Sequence, residues 1–298
     1  MEVRNPDAYA WRPWHKWPHA ICNLARICNV DERQIRHILL LSGGKDSTAL
    51  AIYMRDHHPE IEMEYVFCDT HKELNETYEY LSRIEAYLGK SITRLSSGLG
   101  ERGFDHHLRL RRGYLPSPAQ RWCTQKLKIE PFEDYIKDDQ VCLYVGIRAD
   151  EHREGYISTK PNITAVYPFK DDGITKSDVL RILDDAGIGL PSYYAWRTRS
   201  GCYFCFFQRR IEWVGLMENH PTLFAEAKRY EKPEEGFTWT QSESLNDLGR
   251  PERIEQIKRE EAVRKMQAAK RRRPKTLAQA FTGDFDDDDE HACLICQL

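Results

Sequence analysis

The chain has 298 residues and a formal net charge of −3, from 44 lysines and arginines against 47 aspartates and glutamates. With 41% hydrophobic and 31% charged residues it has the composition of a folded chain, which excludes a disordered or fibrous protein and leaves room for one large domain with an appendage. No run of about 18 apolar residues occurs and the N-terminus has no signal-peptide core, so the expectation is a cytoplasmic protein with no membrane partner.

Residues 1–33 carry Trp11, Trp14 and Trp17 and a short helical pattern from Ile21 to Ile27, and read as an arm packed on the core. Ile35–Leu41 is an apolar run of strand length. A helical pattern follows from Asp46 to His57. Ile61–Cys68 reads as the next strand, and Leu74, Tyr78, Leu81 and Leu88 line one face of the helix after it. Ile92–Leu95 and Val141–Ile147 read as further strands. Such alternation predicts α/β units and a parallel sheet covered on both faces. Thr175 and Asp178 form a capping box opening a helix that runs to Ala186. From Gly201 the pattern is helical only, with Pro221 at the first position of one helix. The charged stretch from Pro251 to Arg273 has Ile254, Ile257 and Met266 as a thin apolar stripe. The expected organisation is therefore an arm (1–33), an α/β core (34–200), a cysteine-containing helical region (201–280) and an acidic tail (281–298) ending in a second C-x-x-C.

The segment LLLSGGKDSTAL (Leu39–Leu50) carries the sharpest local signal. A buried strand ends, two glycines let the backbone turn, and a helix starts at once. Amides of such a loop point into a cradle, and the helix N-terminus adds positive potential. Ser42 and Ser47 add hydroxyls and Lys45 a charge, which makes a pyrophosphate site. The spacing matches neither G-x-x-x-x-G-K-[ST] nor G-x-G-x-x-G.

SGGKDS resembles the PP-loop of the ATP pyrophosphatases, in the adenine-nucleotide alpha-hydrolase (HUP) group, which is similar in fold to the sulfonucleotide (PAPS) reductases. Phe67-Cys-Asp-Thr70, GIRADEHR (Gly146–Arg153), Tyr167–Phe169, Asp178–Leu180 and GIGLPSYY (Gly187–Tyr194) running into GCYFC extend the resemblance over roughly residues 35 to 215. It implies a Rossmann-like parallel-sheet core with a C-terminal helical extension. It also implies ATP bound with Mg²⁺ through Ser42, Gly43, Gly44, Lys45, Asp46 and Ser47, with Asp69 and Arg148 near the nucleotide, and ATP split between its α and β phosphates. The chain as a whole looks like the ATP pyrophosphatase component of bacterial DNA phosphorothioation systems (the DndC/SspD type). That likeness implies DNA as acceptor, a cysteine desulfurase as sulfur donor and other phosphorothioation components as partners. tRNA thiolation enzymes share the motifs, which keeps tRNA as an alternative acceptor. The reductases carry altered versions of the loop and act on a sulfated nucleotide, and sulfonucleotide reduction is the other alternative.

Nine cysteines, an odd number, do not read as a disulfide framework. Cys202 and Cys205 form a C-x-x-C pair suited to a metal or cluster. Cys123 lies upstream, where the reductase-like family has C-C-x-x-x-K and this chain has Trp122-Cys123, one ligand fewer. A [4Fe–4S] cluster on Cys123, Cys202 and Cys205 is expected, with an open iron site or with Cys293 as a further ligand. Structural zinc is the alternative, and Cys293 and Cys296 can instead act as a sulfur relay. Lys45, Asp46 and Cys123 are the expected catalytic residues, and Arg121, Lys126 and Lys128 are expected to favour a Cys123 thiolate. Cys68 and Cys142, within apolar strands, and Cys22 and Cys28 read as core. His57, His58, His106 and His107 read as surface residues, the last two in a basic loop.

From Glu101 to Glu130 seven bases face three acids, with Tyr114 and Trp122 among them, a mixture suited to a nucleic-acid backbone and exposed bases. Arg264 to Lys275 holds seven bases and no acid. The run Asp284–Glu290 is placed to fold back on Lys270, Arg271, Arg272 and Arg273.

Overall fold

Short strands whose side chains are apolar on both faces can be satisfied only inside a layered sheet. The computed structural model of the chain describes residues 35–97, 103–152 and 160–271. The arm, Cys22, Cys28, the acidic tail, its contact with Lys270–Arg273, Cys293 and Cys296 lie outside the described residues. Five strands, β1 (Arg36–Leu40), β2 (Met63–Cys68), β3 (Ile92–Leu95), β4 (Val141–Tyr144) and β5 (Ile163–Val166), form one all-parallel sheet in the order β3-β2-β1-β4-β5. Leu39 lies opposite Tyr65 on one side and Tyr144 on the other. These residues face a core with Ala49, Tyr53, Leu81 and Leu183, while Ile38, Leu40, Val66 and Leu143 face Phe132 and Ile136 across the sheet. β4 ends at Tyr144, short of the expected Ile147. β5, four residues with a threonine and only half-buried centrally, has no run long enough to stand out in the sequence.

The helices are α1 (Lys45–His57), α2 (Asn75–Leu88), α3 (Phe104–Leu110), α4 (Trp122–Thr124), α5 (Glu130–Ile136), α6 (Pro168–Asp171), α7 (Lys176–Asp185), α8 (Arg210–Asn219), α9 (Pro221–Arg229), α10 (Leu245–Leu248) and α11 (Pro251–Arg271). A π-helical stretch, Gln125–Ile129, joins α4 to α5. The Thr175–Asp178 capping box opens α7 as the sequence implied, and Pro221 opens α9. Three readings change. His106 and His107 sit on helix α3, because Phe104 and Leu108 are spaced to bury one face. His58 is buried and pairs with Glu60. Tyr78 of α2 is only half-buried, and Tyr80 and Ile84 take the inner face with Leu81 and Leu88.

A second core is aromatic. Phe104 stacks on Trp122 and meets Phe204, Phe204 stacks on Trp239, and Trp213 closes the group. Trp122 is therefore buried, with Arg111 over its ring, and is not an exposed stacking surface. On α11 Ile257 is buried and Ile254 packs beside it, but Met266 is 60% exposed, so the apolar stripe ends early. No helix among the described residues is long and apolar enough to cross a membrane.

Glu243 pins α8 to α11 by accepting from Arg210 at 2.7 Å and from Arg253 at 2.8 Å. The bonds from Arg253, then Arg210, hold its carboxyl below the ordinary 4.5 against the opposing effect of burial. A lowered folded value stabilises the fold above the unfolded value and is lost as pH falls through the folded one. Glu243→Gln is expected to cost roughly 1–3 kcal/mol at neutral pH. That cost should shrink as pH drops below 4.5, read by urea unfolding across pH.

Candidate active site

In an open parallel sheet the crevice beyond the strands' carboxyl ends opens where the strand order reverses. Here that point lies between β1 and β4. The loop leaving β1 enters α1 at Lys45, and Gly44 caps the helix without any side-chain hydrogen bond, leaving first-turn amides directed at the crevice. Gly43 has φ +71°, and a Cβ there would lie 2.6 Å from Thr77 Cγ2. At Gly44 a Cβ would lie 2.7 Å from Ser200 Oγ. Only glycine lets the backbone turn so tightly against these neighbours.

The loop's side chains converge. Ser42 and Ser47 hydroxyls are 3.1 Å apart, and the Ser42 amide donates to Ser47 Oγ. Lys45 Nζ donates to Asp46 Oδ2 at 2.7 Å, and Arg148 Nη1 donates to Asp46 Oδ1 at 2.8 Å. Burial pulls the Lys45 ammonium down, but Asp46 and Tyr194 outweigh it, so the group is held above its usual range and stays charged. Arg148 is fully buried and also meets Asp150 and Glu151 at 2.9 Å each, so it reaches the loop through Asp46. Gly146 lets its segment pass the loop, since a Cβ there would lie 3.1 Å from Asp46 O. Asp69, at the end of β2, accepts from the His71 amide and from Tyr78 Oη, both at 2.8 Å, and shapes the turn in which His71 has φ +56°.

Residues 193–205 form a strap across this loop. Tyr193 Oη donates to Gly43 O at 2.7 Å, the Lys45 amide donates to Tyr194 Oη at 3.2 Å, and Ser200 Oγ donates to Ser42 Oγ at 3.1 Å. The strap then delivers Cys202 and Cys205. Buried Arg197 fixes their turn by donating to Gly201 O at 3.0 Å and Cys202 O at 2.8 Å.

Cys123, Cys202 and Cys205 line one cavity of about 30 Å³, with Thr70 and Lys128 in its wall. All three are outside any disulfide. Cys202 Sγ lies 3.1 Å from Thr70 Oγ1 and 3.7 Å from Glu73 Oε1, and Thr70 donates to the same glutamate oxygen at 3.0 Å. Burial pushes the Cys202 thiol well above its usual range, and Glu73 adds to this. Burial likewise raises Glu73. Lys126 pairs with Glu130, Arg121 lies over Phe207, and Lys128 acts on Glu73 and Cys202. Cys68 and Cys142 are core thiols, pushed up by burial to about 11 and about 12.

Three sulfur donors on one cavity fit a thiophilic group. Among the described residues no three histidine, cysteine, aspartate or glutamate side chains are placed to hold a single metal ion. Sequence reasoning missed Glu73, Tyr193, Tyr194, Arg197 and Ser200. The polar cluster around Gly201-Cys202 was the available signal.

Residues 36–205 match the family described as phosphoadenosine phosphosulfate reductase domain, and the chain belongs to that family. An uncharacterized protein of Methanocaldococcus jannaschii is 29% identical over 201 residues, covering 63% of this chain and 39% of that protein. An uncharacterized 37.8 kDa protein of Escherichia phage 186 is 26% identical over 252 residues, covering 66% of this chain and 74% of its own length. The chain thus spans about two fifths of the archaeal relative. Among solved structures it is similar to a phosphoadenylyl-sulfate reductase from Candida auris in a phosphate complex (TM-score 0.45, 12% identity, 62% of this chain and 87% of that one). It is also similar to the U34-tRNA thiolase NcsA from Methanococcus maripaludis with its [4Fe-4S] cluster (TM-score 0.40, 13% identity, 71% and 78%).

Gly43→Ala is expected to destabilise the fold by roughly 1–3 kcal/mol, through its φ and its clash with Thr77. Adding Thr77→Ser, which removes Cγ2, should recover part of that loss in thermal melting while leaving the φ penalty.

Proposed function

We propose that this chain is an ATP pyrophosphatase that adenylates a non-bridging oxygen of a DNA backbone so that sulfur can replace it. The observation that carries this reading is the strap: one segment bonds to the phosphate loop at three points and ends in two of the three cysteines. A nucleotide loop and a sulfur centre are thereby built as one unit.

The reaction follows from the groups present. The triphosphate, as its Mg²⁺ complex, lies against the first-turn amides of α1 and the Lys45 ammonium. The acceptor oxygen attacks the α-phosphorus, the α–β P–O bond breaks, and its electron pair leaves with pyrophosphate. Lys45 offsets charge growing on the phosphate oxygens. Asp46 aims Lys45, and Arg148 holds Asp46. The adenylated oxygen then departs as AMP when sulfide takes its place, the sulfur coming from a cysteine desulfurase as persulfide and being released at sulfide level by a thiol reductant that is oxidised to disulfide. Cys123, Cys202 and Cys205 would hold a [4Fe–4S] cluster, whose chemistry when bound is to carry sulfide. Thr70 and Glu73 orient the Cys202 thiol.

A second reading, sulfonucleotide reduction, is favoured by the family match itself. It requires sulfite release from a sulfated nucleotide and no pyrophosphate. Incubating the protein with MgATP and DNA, then with a sulfated nucleotide and a thiol reductant, separates the two. Pyrophosphate release that falls by about 100-fold in Lys45→Ala supports the proposal. Sulfite release without ATP cleavage would overturn it. Anaerobically purified protein should carry iron and sulfide, both lost in Cys202→Ser.

A further inference from the structure

Phe206 and Phe207 follow Cys205 directly and are only half-buried, their ring centroids 4.5 Å apart. Half-exposed apolar residues are ordinary in themselves. What marks this pair is its company. The guanidinium of Arg121 lies 5.2 Å from the Phe207 ring centroid and that of Arg199 lies 5.5 Å from it. Arg121 precedes Trp122-Cys123 and Arg199 precedes Cys202, so the two cations come from the two segments that supply the thiols.

Phe206 lines the cysteine cavity and also one end of a cleft of about 660 Å³ between α8 and α11. That volume falls in the range of sites that enclose a small molecule or one nucleotide. Arg209 and Arg264 face it, both paired to Glu261, and they continue into an adjoining cleft of about 520 Å³ that adds Lys265. Glu260 and Glu218 also line these clefts, so the path is of mixed charge with cations in excess, and it leads to aromatic rings at the mouth of the sulfur site.

Rings beside guanidinium groups, continued by a basic groove, match a strand whose bases are exposed. A closed duplex keeps its base faces stacked inside and offers phosphates and groove edges but no free ring face. We propose that Phe206 and Phe207, with Arg121 and Arg199, form a stacking platform for an unpaired nucleotide, and that the cleft holding Arg209 and Arg264 takes the adjoining strand. The acceptor reaches the cysteines single-stranded or locally opened. This rests on the nucleic-acid reading above and narrows it.

The test is fluorescence anisotropy at low salt with the full chain and a labelled DNA of about 12 nucleotides, as a single strand and as a duplex. The single strand should bind about tenfold tighter than the duplex. Phe207→Leu, which keeps apolar volume but loses the ring, should weaken single-strand binding roughly tenfold, and Phe207→Tyr should restore it. Arg199→Gln gives a second reading with the same sign. Equal or tighter duplex binding, or a Phe207→Leu protein that binds the single strand as wild type does, overturns the platform, while pyrophosphate release still tests the parent reading. If wild-type protein binds neither form yet cleaves ATP, the platform and the nucleic-acid acceptor fall together. If it binds the single strand as expected but never releases pyrophosphate, the platform stands and the adenylation chemistry falls.

Discussion

The Asp46 carboxylate joins the two halves of this sheet. It receives Lys45 from its own loop and Arg148 from the segment after β4, across the point where strand order reverses. All three groups are buried. Charges withdrawn from water persist only when matched, so each fixes the position of the others. The loop's geometry is thus not a local property of SGGKDS. It depends on β1 and β4 being neighbours, and hence on the whole parallel register.

The sequence made the sheet legible for a physical reason: strands covered on both faces read as unbroken apolar runs. β1, β2 and β4 carry such runs, whereas the edge strands β3, with exposed Thr93 and Arg94, and β5, with its half-buried threonine, do not. Helix α3 escaped notice because dense histidine and arginine hid the two apolar residues, Phe104 and Leu108, that bury it. Trp122 looked like a surface ring because its chain neighbours are cationic, while its spatial neighbours are Phe104 and Phe204. The SGGKDS turn could be read because its glycines and polar side chains lie within six residues of chain. The strap could not, since Tyr193 reaches Gly43 and Ser200 reaches Ser42 across about half the chain, and no local pattern encodes such a meeting.

Two cores divide the work. The sheet core, with α1, α2 and α7, holds the phosphate loop rigid. The aromatic core, built on Phe104, Trp122, Phe204 and Trp239, sets the wall in which the cysteines sit. The match to the phosphoadenosine phosphosulfate reductase domain family runs from residue 36 to residue 205, which takes in the sheet core and, of the aromatic one, Phe104, Trp122 and Phe204 but not Trp239.

The phenol oxygen of Tyr194 sits on the Lys45 amide, one of the donors an incoming phosphate would claim. Occupancy of the loop and the resting position of the tyrosine are then mutually exclusive at that atom. Seven residues lie between Tyr194 and Cys202, so the ring and the sulfur share one short stretch of backbone. On the proposed function, any coupling of loop and thiols through that stretch would be reciprocal, a load at either end altering affinity at the other.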